Sequence, residues 1–206
     1  METNFSHEQS LALINEMIHR AWNNVQVERR YPVLFWGYTV AVAAVANFVL
    51  LQTLSNPNQS FFVWLMVIPA WVVSYFIDRQ IDRTALRKTH IDKIGNMVWK
   101  GFGIASILFT GIITIFALRI KDFNIMLLIN PAMMAMIGIC EFASACIYRY
   151  KSWCWVAALF WAGAISCAFL PVDRQFVVLA LCMVLGFVLP GHLCYRQQKQ
   201  QKESHV

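Results

Sequence analysis

Charge is scarce in this sequence. Asp, Glu, Lys and Arg together make up 14% of the 206 residues, against about a quarter in soluble domains. Also missing are the signatures of soluble enzymes: there is no GxGxxG after a strand, no P-loop, no GxSxG, no HExxH and no pair of acids at catalytic spacing. No CxxC pair occurs among the six cysteines, so they read as small apolar packing residues with free thiols. Apolar and polar residues nowhere alternate in short runs, which argues against a membrane barrel. These absences leave no motif for a metal or a cofactor, and none is expected.

What is present is apolar length. Hydrophobic residues make up 59% of the chain and the mean hydropathy is +0.53. Six stretches approach or reach the roughly 17 to 25 residues that cross a hydrocarbon core: 32–51, 61–77, 101–118, 125–148, 153–170 and 176–195. The expected fold is therefore all-α, a polytopic membrane bundle of six transmembrane helices. It would comprise a cytoplasmic amphipathic helix over 1–30, a membrane domain over 31–195 and a tail over 196–206. The first thirty residues are polar, so no cleavable signal is expected and the first apolar run should remain as an anchor.

Orientation follows from Lys and Arg, which concentrate in cytoplasmic loops. Of the 17, only Arg119, Lys121 and Arg174 fall on one side of the expected spans, and the rest fall on the other. Both termini are thereby expected in the cytoplasm, which in a bacterium makes this an inner-membrane protein. The net charge of +6 then reports topology and attraction to the anionic head groups of the lipid bilayer. It does not imply nucleic acid as a partner.

Residues 6–28 are expected to form the amphipathic helix. Leu11, Ile14, Ile18 and Trp22 recur at three- and four-residue steps, and a face of that kind lies in the membrane interface, docks on its own bundle or enters a partner's groove. The segment 78–100 mixes acids and bases along an imperfect helical stripe, and reads as extensions of two spans meeting in a turn. His90 and Asp92 within it would need further partners to hold a metal. Spans three and five carry Gly101, Gly103, Gly111 and a run of Ala and Gly from 157 to 168. These two are expected to make the closest helix contacts, within one bundle or between subunits. Pro69, Pro131 and Pro190 each free a carbonyl, so they should kink their helices or break them around a site.

One carboxylate lies within the apolar run 125–148. Glu141 shares a helical line with Asn130, Met134 and Tyr148, and Ser144 lies about 60° away at 100° per residue. A carboxyl group at such depth faces a bundle interior or a wet cavity and is a functional candidate by default. The alternatives are a protonated carboxyl hydrogen-bonded to another span, or an ion pair with Lys100 or Arg149. Asn47 is the one amide inside span one. The candidate polar site is thus Glu141, Asn130, Ser144, Tyr148 and Asn47, and a cluster of His192, Cys194, His90 and Asp92 is what an enzyme of lipid chemistry would require.

The order of elements, the Phe35-Trp36-Gly37 start of span one and the Leu189-Pro190-Gly191-His192 end of span six carry a resemblance. On these the chain resembles uncharacterised bacterial inner-membrane proteins in which six helices follow an amphipathic one. The resemblance implies no activity and no catalytic residues. Two functions are open: a structural or regulatory membrane protein acting through partners or its own copies, and a small-solute transporter or substrate-binding subunit with a site around Glu141.

Overall fold

The computed structural model describes residues 32–84, 90–148 and 153–193. The contact face at Leu11, Ile14, Ile18 and Trp22, the tail, Arg149 and Cys194 lie outside them. All regular structure among the described residues is helical. Helix α1 runs Pro32–Thr53. A ten-residue 3₁₀ segment, Pro57–Met66, leads into α2 at Val67–Thr84, and α3 spans His90–Ile120. A second 3₁₀ segment, Phe123–Leu128, leads into α4 at Ile129–Ile147, followed by α5 at Cys154–Cys167. Helix α6 runs Val172–Met183, passes through a π-helical turn at Val184–Val188 and stays helical to residue 193. Five of these helical stretches are long and apolar enough to cross a membrane.

Span five differs from expectation. Instead of filling 153–170, α5 has 14 residues and a length of about 21 Å at 1.5 Å per residue. The cause lies in the following turn, where the Gln175 side-chain amide donates to the carbonyls of Cys167 at 3.0 Å and Leu170 at 3.2 Å. The last carbonyls of a helix lack intrahelical donors. Gln175, itself buried, adds a donor to the Cys167 carbonyl, which also accepts from Leu170 N–H at 3.3 Å in the closing turn, and supplies one to that of Leu170, so that α5 can end early.

The prolines have a common role. Proline has no N–H and its ring crowds the carbonyl four residues back. Those four-back residues are Leu65, Leu127 and Gly186, and each lies in a 3₁₀ or π stretch rather than in regular α-helix. In such stretches a carbonyl takes its hydrogen bond three or five residues on, so the missing donor is not needed. Pro69 and Pro131 occupy the third residue of α2 and α4, still within the first turn.

The core is built by α4, α5 and α6, with α1 closing one side. Met134 and Ile137 from α4 meet Val156, Phe160 and Cys167 from α5 and Phe176, Leu179, Met183 and Phe187 from α6, with Ala41 and Ala44 from α1. Consecutive α1 and α2 are held at one end by Trp36, whose indole N–H donates to Ser74 Oγ at 3.1 Å. Trp64 and Phe61 set their rings against Phe176 at 6.0 and 6.3 Å between centroids. Helix α3 is attached more loosely, through Trp99 against Phe187 and along α4. Its C-terminal end turns at Lys121, which adopts a left-handed φ of 60°, the conformation that usually falls to glycine after a helix.

Within the bundle, span three does not make the close contacts expected of it. A Cβ added at Gly101 or Gly111 would meet nothing within 4 Å, and one at Gly103 only the edge of Trp71 at 3.6 Å. The tight glycines are elsewhere. At Gly138 an added Cβ would collide with the Trp161 indole, at Gly163 with Met134 and with Cys182 Sγ, and at Gly37 it would sit 2.8 Å from Phe187 Cβ. Span five does pack closely, through Gly163 and Ala157.

Candidate functional site

Helix α4 places its polar residues on the face it buries. That face carries Met134, Ile137, Gly138, Cys140, Glu141, Ser144 and Ala145, a run of three- and four-residue steps that forms one stripe of a helix. Gly138 lets α5 come so close that Trp161 donates its indole N–H to the Ala135 carbonyl at 3.3 Å. Glu141 and Ser144 therefore lie in the inter-helical core, each 2% exposed. Asn130 and Tyr148, at the two ends of α4, are half-buried. Lys100 is exposed on α3.

Glu141 is engaged by an interaction, while two other members of the group are not satisfied. The Ser144 hydroxyl and both amide atoms of Asn47 are buried and have no hydrogen-bond partner among the described residues. Asn47 is fully buried. Leaving such a group unsatisfied costs on the order of 1 to 3 kcal/mol. Other hydroxyls in the helices avoid this by turning back on their own backbone: Ser106 donates to Phe102 O, Thr114 to Thr110 O and Ser166 to Ala162 O.

Two side chains, Gln175 and Tyr38, escaped the sequence reading, as did the pairing of Tyr38 with His192. Gln175 fell just outside the expected start of span six, yet it is buried and holds the end of α5. Tyr38 and His192 lie 154 residues apart and share a hydrogen bond of 2.7 Å between the hydroxyl and Nε2. Only the aromatic belt expected at a helix end could have drawn attention to Tyr38, and nothing paired it with His192.

The described residues bring only part of the candidate cluster into view. His192 is occupied with Tyr38, the side chains of His90 and Asp92 lie outside what the structure describes, and no three His, Cys, Asp or Glu side chains gather to hold a metal among the described residues. Five cysteines, Cys140, Cys146, Cys154, Cys167 and Cys182, are free. Cys167 makes its contact with Met134 sulfur at 3.8 Å. A groove of about 680 Å³ opens between α1 and α6, lined by apolar side chains and Tyr38, and Glu141 takes no part in it. No family model, no curated protein and no solved structure matches the chain.

Proposed function

We propose that this chain is an integral membrane protein of structural or regulatory type that works by associating through α3 with its own copies or a membrane partner. The observation that carries the reading is α3 itself. It has 31 residues, yet only 6% of its apolar window is buried in the bundle, and Gly101 and Gly111 look outward onto open space. Small residues on an outward helix face allow another helix to approach closely in lipid. With the Lys and Arg distribution, the bundle sits in a bacterial inner membrane with both termini cytoplasmic, and the amphipathic face of Leu11, Ile14, Ile18 and Trp22 adds a contact surface on that side. The test is co-purification of two differently tagged copies from membranes, with and without residues 1–28 and with Gly111→Trp on α3. The expected result is a shared complex that Gly111→Trp disrupts. Copies that never co-purify, together with no captured membrane partner, would sink the proposal.

A second reading, a solute site around Glu141, is favoured by the unsatisfied atoms of Asn47 and Ser144. If those atoms exist to meet a solute, Asn47→Leu should keep the fold and raise its stability, since an orphaned amide is replaced by an apolar group of similar size. Uptake or binding would then be lost. A fall in stability would show the amide to be a partnered structural group.

A further inference from the structure

Three sulfur side chains meet inside the core, one from each of α4, α5 and α6. Cys167 of α5 donates its S–H to the Met134 sulfur of α4 at 3.8 Å. Cys182 of α6 closes on the same place from the other side. A Cβ added at Gly163, one turn before Cys167, would stand 2.8 Å from the Cys182 sulfur and would collide with the Met134 methyl, so the glycine makes the room in which those two side chains face each other. Cys167 lies near enough to Cys182 for a charge on one to be felt by the other. None of the three is more than 4% exposed, and both cysteines are free.

The spacing suits a bound metal. An ion about 2.3 Å from each of two sulfurs holds them about 3.8 to 4.0 Å apart at tetrahedral or trigonal angles, and Cys167 and Met134 already stand at that separation. The donor set decides which ion. Thiolate and thioether sulfur select soft ions such as Cu(I), whereas carboxylate, carbonyl and water suit harder ones. Among the described residues no three His, Cys, Asp or Glu side chains gather here to offer the ligands of a structural zinc site. The position also gives a way in, because Cys167 is the last residue of α5 and the cluster therefore lies next to the turn into α6.

We propose that Met134, Cys167 and Cys182 form a Cu(I) site, with their three sulfurs around one ion. One thiol gives up its proton to solvent as its sulfur binds, while the second thiol and the thioether donate lone pairs. Cu⁺ thereby takes the place of H⁺, and no net charge is left in an apolar interior, where one would be costly. No electron is transferred. The inference stands apart from association through α3.

The test uses the full chain, purified in detergent without oxygen and titrated with Cu(I) against the chelator bicinchoninate. Wild type should take up one Cu(I) per chain, and X-ray absorption should find sulfur neighbours alone, at about 2.3 Å. Met134→Leu keeps the volume and the apolar character of a core residue, so it should fold as wild type does and bind at least tenfold more weakly. Cys167→Ala combined with Cys182→Ala should abolish uptake, whereas Cys146→Ala, Cys154→Ala and Cys194→Ala together should leave it unchanged. Added Cu(I) should raise the melting temperature of wild type and not that of the double core variant. Uptake that survives the double core variant, or that disappears with the other three cysteines, overturns the proposal. So does a Met134→Leu chain that binds as tightly as wild type, nitrogen or oxygen neighbours around the copper, or uptake of Zn(II) in preference to Cu(I).

Discussion

Helices α3 and α6 are nearly the same to a hydropathy window and opposite in the structure. Their mean hydropathies are 2.1 and 2.3, yet 6% of one window is buried in the bundle and 50% of the other. The difference lies in what each small residue faces. A Cβ added at Gly186 of α6 would meet Phe160 at 2.8 Å and one at Gly191 would meet Leu34 at 2.6 Å, whereas at Gly101 and Gly111 of α3 it would meet nothing within 4 Å. Apolar content states that a helix avoids water. Close packing against large neighbours states which helices avoid each other's absence, and in lipid only that second property holds a bundle together.

The largest effect should come from the core side of this comparison. Phe160, fully buried on α5, should cost roughly 3 to 5 kcal/mol on truncation to Ala, while Ile112→Ala on α3, at a side chain 60% exposed, should leave unfolding in detergent unchanged. Comparable costs would erase the distinction between core and periphery. Next in size are the glycines. Gly138→Ala must push a methyl into the Trp161 indole, an overpacking that costs about 1 to 3 kcal/mol. The same change at Gly111 should be neutral or slightly stabilising, because Ala is the better helix former by about 1 kcal/mol. Thermal unfolding of the two variants side by side decides the point.

Gln175→Leu tests whether the end of α5 depends on a borrowed donor. Its loss leaves the carbonyls of Cys167 and Leu170 without that amide, at a cost of about 1 to 3 kcal/mol, and hydrogen exchange should speed up selectively around 165–170. Unchanged exchange there would mean that α5 ends where it does for another reason. The smallest effect belongs to the end of α3. Lys121 sits at φ 60°, where a side chain costs on the order of 1 kcal/mol, so Lys121→Gly should raise the melting temperature slightly, and an unchanged or lower melting temperature would count against strain at that turn.

The helical class and the apolar stretches were legible in the sequence because they rest on local quantities, apolar length and the 3.6-residue period. The burial of Glu141 was legible in part for the same reason, since it falls on one helical line with Met134. What was not legible depended on facing surfaces. Glycine spacing in α3 resembled a contact motif, but spacing carries no information about what stands opposite. The length of α5 was set by Gln175, a residue beyond the helix's own end. Proline positions were visible, but not that each would coincide with a change of helix type. Tyr38 and His192 needed α1 and α6 to be laid side by side, which no local pattern could do.

The central claim is that α3 is an outward, association-competent helix on a bundle whose core is α4 to α6. Photo-crosslinking residues placed at 104, 108, 112 and 115 of α3, and at 160 of α5, test it directly in native membranes. The account predicts protein-sized adducts, to a second copy or a membrane partner, from the α3 positions and none from 160. Lipid-sized adducts alone at every α3 position would contradict it.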